Sequence, residues 1–247
     1  ALEESCIWAV KELTGMPVTR GLEQAIISEG EIVNIVSNSY GHLPNERFYY
    51  EAESKLIDAG IQYETESINR GNKSFKVNYI LNDESFHINI KKHVKNGDID
   101  ILRPMVSFVN SYDGSCKTTG YFSFHRKVCS NGLCVAHQAI GFSVKHRGNI
   151  VEIVMPRMDE LIANFMDNEF YSLQKKFEVL AETPISNLKN FVEYVLGQTG
   201  LFQYEASEKN PEPSLNARLV IDTITTEANQ LGATPNLWLG YNAFNEV

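Results

Sequence analysis

Several features that would assign a function at once are missing from this sequence of 247 residues. It contains no GxxxxGKS or GxxxxGKT loop, no GxGxxG after a strand pattern, no HExxH and no GxSxG. These absences remove the commonest nucleotide-hydrolysing and hydrolase classes. There is also no run of about 18 apolar residues, so no membrane-spanning helix is predicted. The acidic first residues, Ala1 to Ser5, lack the basic and apolar regions of a signal peptide.

Cysteine is scarce, which argues against a disulfide scaffold and favours free thiols in a reducing cytoplasm. Cys116, Cys129, Cys134 and His137 have the spacing C-x12-C-x4-C-x2-H. This spacing lacks the close CxxC pair of structural zinc sites, so buried, unreactive thiols are favoured over a metal centre. Cys129 acting as a nucleophile, with His125 or His137 as its base, is a weaker alternative. We therefore predict no metal, no cofactor and no catalytic residue.

Positive charge is in short supply overall but is concentrated in one region. The net charge is −9, yet residues 61–150 hold twelve Lys/Arg against seven Asp/Glu. The rest of the chain holds ten Lys/Arg against twenty-four Asp/Glu. An asymmetry of this kind is typical of a protein with an anionic partner. Chance clustering on solvated strand faces is the alternative interpretation.

The order of residue patterns predicts an α+β fold, with a central antiparallel sheet packed by helices and a helical C-terminal portion. Asn45 is expected to cap a helix that runs to Ala59 and is closed by Gly60. Between residues 61 and 150, apolar and polar residues alternate in segments joined by short turns, as in an antiparallel meander. Phe142 to Met155 is predicted to be the last strand of this sheet.

Helical spacing follows from Pro156, and the chain is divided into three parts on this basis. Residues 1–204 are predicted to form the core domain, with the basic sheet at 61–150 and helices within 156–196. The polar, proline-containing stretch 205–213 is interpreted as a linker. Residues 214–247 are interpreted as a helical tail that docks on the core or on a neighbouring subunit.

Basic residues lie on or beside three consecutive strand regions, with aromatic residues between them. This combination is typical of single-strand binding, where cations contact phosphates and rings stack on bases. Phe122 and Phe124 lie two residues apart and share one face of their strand, which is predicted to be the core face. Alternate strand residues point to opposite faces, so not all of these side chains can contact one ligand. The candidate phosphate contacts are Lys91, Lys92, Lys95, Arg126, Lys127, Lys145 and Arg147, and the candidate stacking residues are Tyr112 and Tyr121.

Three strings of residues occur in a characteristic order: I-V-S-N-S-Y at 35–40, V-N-S-Y-D-G-S at 109–115 and R-K-V-C-S-N-G-L at 126–133. With these strings, the sequence resembles the phage/plasmid-like proteins grouped as domain of unknown function 932. The resemblance covers roughly residues 30–150, with support from Trp238, Tyr241 and Asn242. The sequence departs from the family's pattern on both sides of Cys129. It has Arg126-Lys127-Val128 where the family usually has Arg-Val-Val, and Asn131-Gly132-Leu133 where the family usually has Asn-Thr-Leu. The positions that match the family motifs are Asp113, Gly114, Ser115, Arg126, Cys129 and Asn131.

The resemblance implies a phage, prophage or plasmid setting in a bacterial cytoplasm, and no known activity. We therefore expect a DNA-metabolism protein that binds single-stranded or annealing DNA without cleaving it, similar in outline to the single-strand annealing recombinases. A homo-oligomer would suit such a role. The alternative is an acidic interaction protein that binds a host factor. A cysteine- or metal-dependent enzyme is the weaker third hypothesis.

Overall fold

The fold is known from a computed structural model. It describes residues 24–71, 73–90, 100–126, 132–133, 141–165, 170–199 and 215–246. The chain divides into two compact units. The first unit consists of residues 1–85, 104–123 and 136–167, and the second of residues 86–103, 124–135 and 168–247.

The described elements are, in chain order, β1 (Gln24–Ser28), β2 (Glu31–Val36), α1 (Asn45–Asp58), β3 (Tyr63–Arg70), β4 (Ser74–Leu81), a 3-10 turn (Glu84–Phe86), β5 (Ile88–Ile90), β6 (Asp100–Ser111), β7 (Thr118–Arg126), β8 (Gly132–Leu133), β9 (Gly141–Val144), α2 (Ile150–Asn164), α3 (Phe170–Glu182), α4 (Leu188–Thr199), α5 (Leu215–Leu231) and α6 (Leu237–Glu246). Strands come first and helices dominate the C-terminal part. The predicted α+β class is therefore confirmed.

An antiparallel sheet forms the centre of the first unit. Its strands follow the order β3-β4-β6-β7, and β9 pairs with β7. Ser74 pairs with Ser111 and Ile80 with Met105, so β4 and β6 are in register over their whole shared length. β1 and β2 make a separate antiparallel hairpin, and β1 was not predicted from the sequence.

Helix α1 covers one face of this sheet. Phe48, Ala52 and Leu56 recur at helical spacing and are fully buried. Phe48 meets the edge of Phe108 on β6 with ring centroids 5.7 Å apart, and Tyr49 meets Phe75 on β4 at 6.2 Å. The apolar stripe of the helix therefore packs against this face of the sheet as part of the first unit's core.

The opposite face of the sheet is polar, because side chains alternate between faces along each strand. Asn78 donates to Ser67 at 2.9 Å and to Glu66 at 3.1 Å. The Ser107 hydroxyl donates to the Asn78 side-chain oxygen at 2.7 Å. Lys76 lies two residues from Asn78, so this face carries charges of both signs and is not a basic surface.

The predicted boundary between the last strand and the first following helix is wrong. Strand β9 ends at Val144 and α2 already begins at Ile150, which places Pro156 inside the helix. The buried residues Ile150, Val154 and Met158 continue the helical spacing on the N-terminal side of the proline. Burying this stripe outweighs the backbone hydrogen bond that an internal proline removes.

The second unit contains helices α3 to α6 together with β5, the first residues of β6 and the end of β7. Phe177 of α3 packs between Phe124, at 5.5 Å, and Trp238 of α6, at 4.9 Å. Helices α5 and α6 both lie within the predicted helical tail 214–247. The predicted linker 205–213 lies outside the described residues. Among the described helices, none combines the length and apolar character needed to cross a membrane.

Two glycines give a direct test of the packing. A Cβ on Gly41 would lie 2.7 Å from the Gly148 carbonyl oxygen and 2.9 Å from the Ile150 Cβ. Gly41→Ala should therefore lower the free energy of unfolding by about 1–3 kcal/mol, since backbone must move. Gly197, in α4, has no atom within 4 Å of such a Cβ, so Gly197→Ala should stabilise by roughly 0.5–1 kcal/mol. Urea unfolding of both variants checks the pair, and a stable Gly41→Ala would contradict the packing described.

Candidate functional site

One end of the first unit's sheet gathers the ends of four neighbouring strands. β4 begins there opposite the end of β6, as the pair Ser74–Ser111 shows. β7 begins there opposite the end of β9, as the pair Thr118–Val144 shows. The described residues just beyond these pairs are 71, 73, 112–117 and 145–149, and together with the loop 37–45 we call them the strand-end surface.

The strand-end surface is basic. Its four fully charged cations are all exposed: Lys73, Lys117, Lys145 and Arg147. None of the four forms an ion pair with a residue that the structure describes. The only carboxylate in the surface as defined is Asp113, which accepts a hydrogen bond from the Ser115 N–H at 2.9 Å. This surface therefore carries a local excess of three positive charges.

The Asp113-Gly114 pair forms the turn between β6 and β7. Gly114 has φ of 75°, a conformation that glycine adopts without strain. Burial raises the pKa of Asp113, but hydrogen bonds from Ser115 and the nearby Lys73 outweigh it and bring the pKa below its usual value. These family-motif residues thus shape the turn that presents the basic surface.

The buried amide of Asn110 holds loop 37–45 against the sheet. Asn110 donates to the Leu43 carbonyl oxygen at 2.9 Å and to the Asn45 side-chain oxygen at 2.8 Å. Its own oxygen accepts from the Thr118 hydroxyl at 2.8 Å. Asn110 is completely buried, so both amide protons and the oxygen are used inside the protein.

Tyr112 anchors the start of α1. Its hydroxyl accepts a hydrogen bond from the backbone N–H of Asn45 at 2.7 Å. This corrects the prediction that Asn45 caps the helix, because Pro44 holds the N-cap position and no side chain caps it. The Tyr112 ring packs on the hydrophobic cluster Ile26, Val33 and Val36. Tyr112 therefore has a structural role, and only part of its ring is open to a ligand.

Tyr40 and His146 stack beside the loop, with ring centroids 5.2 Å apart and planes within 5°. The His146 Nδ1 atom lies 3.3 Å from the Gly41 carbonyl oxygen, so Nδ1 carries the proton if it donates. Burial lowers the pKa of His146. Burial, followed by Asp113 and Cys116, raises the pKa of Tyr40 to about 12. Both rings are therefore neutral near pH 7.

His42 is the exposed aromatic side chain of loop 37–45. Its ring centroid lies 5.3 Å from that of Tyr112, with the planes tilted by 41°. Partial burial against its neighbours lowers the pKa of His42, and the nearby His146 lowers it further. An anion beside this ring would favour the charged imidazolium and so raise the pKa of His42.

Apart from Arg126, the positions predicted from the sequence separate into three groups in the structure. Those that meet on the strand-end surface are Lys145, Arg147, Tyr112, Asp113, Gly114 and Ser115. Tyr121 is half-buried within β7, opposite Gly141, and away from this end. Those that lie outside the described residues are Lys91, Lys92, Lys95, Lys127, Cys129 and Asn131.

The possible zinc set is described at one position only. Cys116 has a free, half-buried thiol. The other three members of the set, Cys129, Cys134 and His137, lie outside the described residues. The described residues contain no group of three or more metal-ligating side chains.

Arg126 is a buried structural residue of the second unit, with 1% of its surface exposed. Its Nε atom donates to both carboxylate oxygens of Asp100, at 2.8 and 2.9 Å, and its Nη1 atom pairs with Glu227. Trp238 donates from its indole N–H to Asp100 at 2.9 Å, and its ring lies 5.4 Å from the guanidinium carbon. We call these four residues the Arg126 cluster. The prediction that Arg126 contacts phosphate is therefore corrected.

Residues 33–247 match the family described as Domain of unknown function (DUF932). The chain belongs to this family. No curated protein and no solved structure matches the chain. The match extends the resemblance seen at residues 30–150 to the C-terminal helices, which include Trp238. In this DUF932 chain, two separated motif positions, Arg126 and Trp238, thus meet in one buried cluster.

Sequence reasoning missed His42, Tyr40 and the partners of Arg126. Tyr40 ends the string at 35–40 and His146 lies between the candidates Lys145 and Arg147, so their positions were visible but not their contact. Asp100 and Glu227 gave no signal, because nothing in the sequence shows that distant carboxylates are buried beside one guanidinium.

The Arg126 cluster predicts a large difference between two matched substitutions. Arg126→Met leaves two carboxylates buried without their cation and should cost about 3–5 kcal/mol of unfolding free energy. Arg157→Met removes a pair with Glu160 in which both side chains are 55% exposed, and should cost at most about 1 kcal/mol. Chemical denaturation compares the two. Equal losses would contradict a structural role for Arg126.

Proposed function

We propose that the protein binds single-stranded nucleic acid, without cleaving it, along the strand-end surface. The observation that carries this proposal is the set of four exposed cations on neighbouring strand ends. No described residue neutralises them through an ion pair. A polyanion that lies along the ends of the strands would neutralise these cations with its phosphate groups.

The placement of the cations favours an anionic ligand over a purely solvated surface. Lys117 and Lys145 each lie one residue beyond the paired positions Thr118 and Val144. Like charges on adjacent strands repel each other at this separation, which costs stability in the free protein. Lys73 is placed in the same row, because its carbonyl oxygen accepts from the Tyr112 N–H at 2.7 Å. A bound phosphate would turn this repulsion into attraction.

The dimensions of the row suit a short length of one strand. The order β4-β6-β7-β9 contains three gaps of roughly 4.8 Å each, or about 14 Å in all. A flexible single strand can place successive phosphates along such a row and offer its bases to exposed rings. The resemblance to phage/plasmid-like proteins supports placing this activity in the DNA metabolism of a mobile element.

The test is a variant with Lys73, Lys117, Lys145 and Arg147 all changed to Gln. Fluorescence anisotropy with labelled oligo-dT of about 20 nucleotides should show binding by the wild type at about 50 mM salt. The variant should bind at least about tenfold more weakly. Its plot of log affinity against log salt should be less steep by about 3, since each lost contact with a single strand contributes roughly 0.7.

The matched control changes four exposed cations of the second unit to Gln: Lys175, Lys176, Lys189 and Arg218. It makes the same change in net charge, so it should leave binding within about twofold if location matters. Equal losses in both variants would mean non-specific charge attraction. Failure of the wild type to bind at low salt would overturn the proposal, and equal affinity for a duplex would overturn its single-strand part.

A further inference from the structure

His42 is an exposed, titratable residue of the strand-end surface. It lies on loop 37–45, whose other residues carry no charged side chain. The loop backbone is tied down from a separate segment by the Gly148 N–H, which donates to the Ser39 carbonyl oxygen at 2.9 Å. The Asn110 amide holds Leu43 on the other side of His42. The loop is therefore fixed on both sides of an exposed imidazole.

Gly41 keeps this loop close to the segment after β9. Its own carbonyl oxygen faces His146 Nδ1 at 3.3 Å, and a side chain at Gly41 would collide with the Gly148 carbonyl oxygen. Because Gly41 is next to His42 in the chain, this contact places His42 close to His146, whose charge lowers the His42 pKa. The backbone thus brings an exposed histidine to the segment that carries Lys145 and Arg147.

The titratable and charged groups around His42 come from every segment of the surface. Tyr40 lies on the same loop as His42, and the His42 ring contacts Tyr112. The charged or titratable groups of the segments that surround it are Lys73 before β4, Asp113, Cys116 and Lys117 between β6 and β7, and Lys145, His146 and Arg147 after β9. Asp113 is the only carboxylate among them, and the two effects that act on His42, burial first and then His146, both lower its pKa in the free protein.

We infer that His42 contacts a phosphate of the bound strand directly and takes up a proton when it does so. This inference rests on the proposed function, since it assigns a contact within the same surface. His146 and Tyr40 do not touch the strand. They act as positioning residues, because Tyr40 stacks on His146 and His146 faces the Gly41 carbonyl oxygen.

The pH dependence follows from the direction of the His42 pKa. In the free protein this pKa lies below the ordinary value, so His42 is neutral near pH 7. A phosphate diester favours the charged imidazolium and raises the pKa in the complex. Binding therefore strengthens as pH falls through the raised pKa, and levels off once pH is below the lowered pKa of the free protein.

The experiment measures affinity for a 5′-hydroxyl oligo-dT between about pH 8 and pH 5.5, at constant salt. A 5′-hydroxyl strand is used because its diesters do not titrate in this range. Wild-type affinity should rise by up to about tenfold as pH falls. His42→Gln should bind more weakly at low pH and lose most of this rise. Circular dichroism at each pH confirms that the protein stays folded.

His42→Lys separates a phosphate contact from a structural role. Its permanent charge should keep binding strong at every pH and remove the pH dependence, whereas a structural defect would weaken both variants alike. A rise in affinity that persists in His42→Gln would overturn this inference but leave the proposed function standing. Absence of wild-type binding at low salt at any pH would overturn both.

Discussion

The buried amide of Asn110 is the interaction on which the candidate site depends. Its two protons and its oxygen join loop 37–45, helix α1 and the start of β7 to strand β6. Leaving such a group unsatisfied in the interior costs about 1–3 kcal/mol, so the loop has a strong reason to stay in place. The contact fixes Leu43, which follows the exposed His42, and Thr118, which follows Lys117. The basic surface is consequently built on ordered backbone.

Sequence patterns predicted the strands that alternate clearly and the helices with glycine at their ends. β4, β6 and the helix at 45–58 were recognised because burial on one face imposes a period of two or of 3.6. The start of α2 was missed, because Pro156 resembles a first-turn proline and the apolar stripe before it also fits a strand. The short strands β1 and β8 carry too few residues for any period to appear.

The candidate site was only partly predictable, for a physical reason. A count of charges located the basic region, but it could not show that cations gather at strand ends while the polar sheet face around Asn78 carries both signs. The same count treated Arg126 and Lys145 alike. Only the fold shows that Arg126 is enclosed by Asp100, Glu227 and Trp238, whereas Lys145 is exposed. Ion pairs with residues distant in the sequence therefore distinguish a cation with a structural role from one that a ligand can reach.

The most direct test of the central claim is to map which lysines a bound strand protects from amine-reactive labelling, read by mass spectrometry. With saturating oligo-dT, Lys73, Lys117 and Lys145 should become protected, because their ammonium groups contact phosphate. Lys175, Lys176 and Lys189, which are equally exposed on helices of the second unit, should react at an unchanged rate. Protection of the helical lysines with free reaction at the strand ends would contradict the account.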